Sequence, residues 1–221
     1  MKILIVSGFL GAGKTTFIKR LARNVDQRFA ILENEYGAAG IDGARLGQNR
    51  QGTQKNVWEM TEQCICCIGK KDFAASVLTI ANVVDPEYLI VEPTGVGSLA
   101  RIIENLRQIE YERIQLLSPV TIVDVYSYRR YMAEYPELYQ DQIRSADTII
   151  VSKTEACQAE EKQRIQKFLQ EINSQAKIIT DYASTMTRED YQSLLLGGAA
   201  DYITKPFDPR ELLARITVQL R

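Results

Sequence analysis

The sequence predicts an α/β fold in three layers, a mainly parallel sheet flanked by helices. Three observations predict it. Short apolar runs alternate with amphipathic stretches along the chain, the pattern of a parallel sheet covered on both faces. A glycine-rich loop stands between the first apolar run and the first amphipathic stretch. Polar and charged residues collect where the apolar runs end, and in open parallel sheets ligands sit at the carboxyl ends of strands.

The elements follow in order. Residues 2–7 read as a short buried strand and 16–23 as an amphipathic helix. Residues 29–33 read as a second strand. Residues 34–61 are polar and carry Gly37, Gly40, Gly43, Gly47 and Gly52, which predicts a long functional loop. A helix is expected over 71–84, a strand over 88–92, a helix over 98–109 and a strand over 118–124. Residues 126–144 read as a helix interrupted near Pro136. A strand over 148–151, a charged amphipathic helix over 159–175 and a strand over 178–180 follow. Residues 1–196 are expected to form one domain, with 197–221 as a terminal strand and helix on the same sheet.

Composition narrows the function. A chain of 221 residues suits one domain, and 45% hydrophobic with 25% charged residues is ordinary for a globular protein. Net charge is −1 without a long basic run, which argues against nucleic-acid or anionic-membrane partners. The apolar run at 3–6 is too short for a signal peptide, and no segment approaches membrane-spanning length. A cytoplasmic location is expected, where four cysteines are not a disulfide framework. Histidine is absent, so the commonest metal ligand and the commonest general base are both missing.

Gly8-Phe9-Leu10-Gly11-Ala12-Gly13-Lys14-Thr15-Thr16 fits G-x-x-x-x-G-K-T/S between a strand and a helix, the context of a P-loop. Gly8, Gly11, Ala12, Gly13 and Thr16 belong to the loop that wraps the phosphates, and the helix N-terminus adds its positive dipole end. Lys14 is placed to reach the β- and γ-phosphates, and the Thr15 hydroxyl to bind Mg²⁺. The architecture is therefore that of a P-loop nucleoside triphosphatase.

Other strand ends add to the same site. Glu92-Pro93-Thr94-Gly95 leaves an apolar strand where a carboxylate holds the water shell of Mg²⁺ and the Gly95 N–H faces a γ-phosphate. Residues 37–42 would then be a first switch, with Asp42 a candidate for Mg²⁺ or for placing the attacking water. Ser152-Lys153-Thr154-Glu155 occupies the place of a guanine-reading N-K-x-D loop. There a carboxylate accepts from two guanine nitrogens while the lysine stem lies along the base. Ser152 stands for asparagine and Glu155 for aspartate, so GTP is favoured over ATP by a reduced margin.

Cys64-Ile65-Cys66-Cys67 places three of the four cysteines within four residues. Thiolates suit Zn²⁺ and Cu⁺, and also Ni²⁺ or Co²⁺. All three reach one ion only around a turn; the alternative is two thiolates with Glu33 or Glu35 from the neighbouring strand end. Small buried apolar cysteines are the plain rival. Cys157 stands alone. Tyrosines 126, 128, 131, 135 and 139 have helical spacing, expected of packing or a partner surface.

Taken together, these residues resemble the CobW-type GTPases, relatives of the nickel-insertion GTPases of hydrogenase and urease maturation. The resemblance covers roughly residues 1–195. It rests on residues 8–17, Asn34-Glu35-Tyr36-Gly37 with Gly40-Ile41-Asp42, the cysteine motif, Glu92 to Gly95, Val120 to Asp124 and Ser152 to Glu155. It implies GTP hydrolysis coupled to delivery of a transition metal to a metal-requiring client protein, with the cysteines as the metal site and metal affinity linked to nucleotide state. A nucleotide-dependent homodimer also suits the resemblance. Ala38 stands where many relatives have a carboxylate, and Gln63 where glycine often precedes the first cysteine. The separate C-terminal domain and histidine-rich stretches of many relatives are not in this sequence.

Residues 198–216 resemble the last strand and helix of two-component receiver domains, with Asp208, Pro209 and Glu211 as helix-starting residues. They are expected to be structural, without phosphorelay chemistry. The expected activity is slow GTP hydrolysis, since no base and no arginine finger is evident. The rivals are an ATP-dependent small-molecule kinase and a metal sensor that binds nucleotide without useful hydrolysis.

Overall fold

The computed structural model of the chain describes residues 1–27, 29–35, 57–63, 70–93 and 95–196. The elements in chain order are β1 (Lys2–Gly8), α1 (Lys14–Asn24), β2 (Phe29–Glu35), β3 (Val57–Gln63), α2 (Lys70–Val83), β4 (Tyr88–Glu92), α3 (Leu99–Arg107), β5 (Gln115–Leu116), β6 (Val120–Asp124), α4 (Tyr128–Glu134), α5 (Pro136–Arg144), β7 (Thr148–Ser152), α6 (Ala159–Ile172), β8 (Lys177–Ile179), α7 (Tyr182–Thr185) and α8 (Arg188–Leu195).

The strands form one sheet in the order β3-β2-β4-β1-β6-β7-β8, with β5 paired to β1. Every strand pair is parallel. Parallel strands require crossovers, and helices supply them on both faces. Alternate residues of β1 divide between the faces, as the two-residue period dictates. Leu4 and Val6 pack with Phe17, Ile18 and Leu21 of α1 and Tyr191, Leu194 and Leu195 of α8. Ile3 and Ile5 face Val77 and Ile80 of α2 and Leu99, Ile102 and Leu106 of α3. Beside them, Val123, Ile149 and Val151 pack under Tyr139 and Ile143 of α5 and Ile165 and Leu169 of α6. The three expected layers are present.

β1 is bordered in two stages. Lys2 to Ile5 pair with Tyr88 to Val91 of β4, and Lys2 and Ile3 also meet Gln115 and Leu116 of β5. Val6 to Gly8 pair instead with Val120 to Ile122 of β6.

Three sequence expectations need correction. The stretch 34–61 is not all loop: β2 runs on to Glu35, and β3 begins at Val57. Among the described residues β3 lies at the edge of the sheet with β2 as its one strand partner, and edge strands tolerate the polar residues that hid it. The strand expected over 118–124 starts at Val120, with the short β5 before it. The helix expected to end at 175 stops at Ile172, where the Asn173 side chain donates to the carbonyls of Ile143 and Ala146, 2.9 Å each. The expected break near Pro136 is present: α4 ends before Tyr135, and Pro136 opens α5. The terminal unit at 197–221 lies outside the described residues.

Candidate nucleotide site

The carboxyl ends of β1, β4, β6 and β7 meet at one edge of the sheet. Gly13 closes the loop after β1 at φ 97°, a left-handed conformation that glycine adopts without penalty. It leads into α1, whose first turn has neither a capping side chain nor an acidic residue. The N-terminal amides and dipole of α1 are thus left for an anion.

Lys14 is 7% exposed. Its ammonium donates to the Phe9 carbonyl at 3.4 Å and lies 3.9 Å from Glu92 Oε1. Burial pulls its pKa down, and the Glu92 charge pushes the other way. The Thr15 hydroxyl is 3.1 Å from Glu92 Oε1 and 3.3 Å from Oε2. Lys14, Thr15 and Glu92 come from two strand ends that are neighbours in the sheet. A hydroxyl and a carboxylate beside the phosphate loop are hard oxygen donors, and they fit Mg²⁺ that keeps several waters.

Gly95 lies against the P-loop backbone. A Cβ built there would meet Leu10 N at 2.4 Å and Phe9 C at 2.9 Å. The turn after β4 therefore touches the loop at a spot where only glycine fits. Thr94 lies outside the described residues.

The loop after β7 joins the same assembly. Ser152 is buried, and its hydroxyl donates to the Ala12 carbonyl at 2.6 Å. Ser152 therefore ties the strand end to the P-loop. Lys153 is left-handed, φ 61°, and its ammonium donates to Asp124 Oδ2 at 2.7 Å. Asp124, at the end of β6, also accepts from the Tyr126 amide and the Ser127 hydroxyl, 2.9 Å each. Burial alone would raise the Asp124 pKa, but Lys153 and these two donors outweigh it and hold the carboxyl below its usual range. Thr154 is buried and Glu155 is exposed on the following turn. Thr154 also hydrogen-bonds Asp181, which pairs with Lys162 at 2.6 Å. Asp181 and Lys162 are thus supports of the Ser152–Glu155 loop that the sequence reading missed. A left-handed φ of 55° at Asp181, directly after β8, marks the spot in the structure.

The tyrosine cluster has a packing role. Tyr131, Tyr135 and Tyr139 surround Phe9 of the P-loop, with ring centroids 4.6, 5.9 and 5.1 Å from it. The Tyr131 hydroxyl donates to the Leu10 carbonyl at 2.9 Å. Asp141 and Gln142 of α5 also reach the site from a distance, with no local motif to announce them. Cys157 is partly buried against the α5–α6 core.

Asp42, Cys64, Cys66 and Cys67 lie outside the described residues. For Glu33 the backbone is described: it is paired with Glu92 on β4 and Thr61 on β3. Glu35 pairs with Gln63, the residue before Cys64. Among the described residues no group of three His, Cys, Asp or Glu could hold a metal ion, and no helix is long and apolar enough to cross a membrane.

The chain is similar to known proteins in sequence and in fold. The zinc chaperone YeiR of Escherichia coli (strain K12) is 30% identical over 178 residues, covering 79% of this chain and 53% of that protein. The zinc chaperone CobW of Pseudomonas aeruginosa is 27% identical over 209 residues, covering 81% of this chain and 56% of that protein. The chain thus spans about half the length of these relatives. The solved structure of Zn(II)-bound YjiA GTPase from E. coli has the same fold, with a TM-score of 0.66 at 20% identity over 98% of this chain and 69% of that one. The family model described as CobW/HypB/UreG, nucleotide-binding domain, matches residues 2–180. That match spans well over half of the chain, and the chain belongs to the CobW/HypB/UreG nucleotide-binding family.

Proposed function

We propose that the chain binds and hydrolyses GTP and couples this to holding a transition metal and passing it to a metal-requiring client protein. The observation that carries the reading is the contact of Thr15 with Glu92 and of Gly95 with Leu10. It joins the phosphate loop to the end of β4, whose neighbour β2 pairs in turn with β3, and β3 ends at Gln63, the residue before Cys64.

In this reading Lys14 and the loop around Gly8, Gly11, Ala12, Gly13 and Thr16 hold the phosphates, with charge neutralised as it develops. Thr15 and Glu92 hold Mg²⁺, which screens the phosphate oxygens when bound. Gly95 presents its N–H to the γ-phosphate, and Asp42 places the attacking water. Ser152 braces the loop in which Lys153 and Glu155 read guanine. Cys64, Cys66 and Cys67, with Glu33, take the metal as cargo. Zinc is the first choice because the relatives above bear the name of zinc chaperones, ahead of Co²⁺ and Ni²⁺. A homodimer formed in one nucleotide state would give the client a means of sensing that state.

The test is titration of reduced protein with Zn²⁺, Co²⁺ and Ni²⁺ in the presence of GDP–Mg²⁺, a GTP analogue with Mg²⁺, or an ATP analogue with Mg²⁺. A Cys66→Ala variant is the control. The expected result is a stoichiometric site that needs Cys66 and changes affinity with guanine nucleotides alone, as reciprocal linkage requires. Absence of such a site, or a response to the ATP analogue alone, overturns the reading and favours the kinase.

A further inference from the structure

We propose that Gln142 of α5 is a positioning residue for GTP recognition: its buried side-chain amide docks the turn after β4 against the P-loop and presets that turn for the γ-phosphate. Gln142 is 1% exposed. Its Nε2 donates to the carbonyls of Gly95 and Gly97, 3.1 Å each. Two carbonyl acceptors fix which end of the amide is the nitrogen. The residue before it holds the start of α3, where that turn ends, since Asp141 Oδ2 accepts from the amides of Leu99 at 2.7 Å and Ala100 at 3.3 Å. Behind Gln142, the buried Thr121 hydroxyl of β6 donates to its backbone carbonyl at 2.9 Å.

The turn is therefore gripped from both sides, with Leu10 against Gly95 on one and Gln142 on the other. Undocking it would strip two carbonyls and a buried amide of their partners, which is unfavourable away from water. Gln142 Oε1 has no hydrogen-bond partner among the described residues, so what the amide contributes comes through its nitrogen. A ligand that needs the docked turn binds with an apparent affinity scaled by the fraction of molecules in which it is docked. GTP contacts Gly95 in the reading above and GDP does not, so Gln142 acts on the difference between them. This inference rests on that reading.

The experiment compares GDP and a non-hydrolysable GTP analogue, both with Mg²⁺, on the full chain and on Gln142→Met and Gln142→Glu. Both variants are expected to lose affinity for the GTP analogue by about fivefold or more relative to GDP, the lower end of ordinary coupling between sites. Gln142→Glu cannot donate when ionised and regains one donor when protonated. Burial raises a carboxyl's pKa, so its ratio should recover between about pH 8 and about pH 6 while that of the parent protein stays flat. Equal weakening of both nucleotides, or an unchanged ratio, overturns the proposal. If Gln142→Met does not fold, the pH recovery within Gln142→Glu decides alone, and its absence counts against the proposal. A parent chain that binds neither nucleotide overturns the functional reading and this inference with it.

Discussion

At Gly95 the space beside Leu10 admits a hydrogen and nothing larger, because the atoms it would meet are backbone and cannot rotate away. Gly95→Ala must push the turn off the P-loop and pull its carbonyl from Gln142. Hydrolysis is expected to fall on the order of 100-fold, as displacements of about 1 Å in a reacting geometry do, with GDP affinity nearly kept. Single-turnover assays and GDP titration check this; unchanged hydrolysis would mean the contact does not serve the reaction. Single residues also show which parts of the site were legible. Lys14, Thr15 and Glu92 were, because each lies in a local pattern with one geometric use. Ser152 was read only as a departure from asparagine. Its bond to the Ala12 carbonyl spans 140 positions of chain, which no local pattern can encode. Gln142, 45 and 47 positions from its acceptors, was silent for the same reason.

Among the elements, α4 and α5 serve as the wall behind the P-loop. Pro136 breaks what would be one helix, and the two pieces set Tyr131, Tyr135 and Tyr139 around Phe9. The Tyr139 hydroxyl is buried without a hydrogen-bond partner among the described residues. Leaving a buried polar group unsatisfied costs about 1–3 kcal/mol, so Tyr139→Phe is expected to stabilise the protein by about 1 kcal/mol. Urea denaturation measures it, and a loss of stability would reveal a partner for the hydroxyl. The strand β3 shows where element reading fails. In VWEMTEQ the apolar residues Val57, Trp58 and Met60 give way to Thr61, Glu62 and Gln63, a weaker signal than the continuous runs of β1, β4 and β7, and glycines crowd the preceding stretch. The helix α8 was not anticipated either, although Thr187 and Asp190 form a capping box, with the Asp190 amide donating to the Thr187 hydroxyl at 3.2 Å and the Thr187 amide to Asp190 Oδ2 at 2.8 Å.

For the whole molecule, the perturbed groups define a stability plateau with two limbs. Asp124 and Asp181 are held below the usual carboxylate range in the fold. Their contribution is complete above the unfolded value near 4 and is lost as pH falls through the folded one. Tyr139 and Tyr88 are pushed up, chiefly by burial. Folding holds their protons, so stability is complete below the unfolded value near 10 and declines as pH rises beyond it. Thermal melts should therefore be flattest between about pH 5 and about pH 9, and Tyr139→Phe should soften the alkaline decline. Lys14, whose pKa burial lowers, works against that decline up to its unfolded value of about 10.5, so the phenol limb is read from the difference between the parent and Tyr139→Phe, and identical alkaline limbs would contradict the burial of Tyr139. Fold class was legible at this scale because the alternation of strand and helix is written along the chain. Strand order was not, because it depends on which crossovers lie side by side.

The two-stage border of β1 has a mechanical meaning. The strand is a splice: its first half is stitched to the β3-β2-β4 panel, with Lys2 and Ile3 also held by β5, and its last residues, Val6 to Gly8, are stitched to the β6-β7-β8 panel. Glu92 rides on the first panel, whereas the root of the P-loop and the Ser152 brace ride on the second. A small scissoring of the panels about β1 would thus change the gap between Thr15 and Glu92 without breaking either ladder. The strain of opening and closing around a phosphate would fall on the few residues where the stitching changes sides.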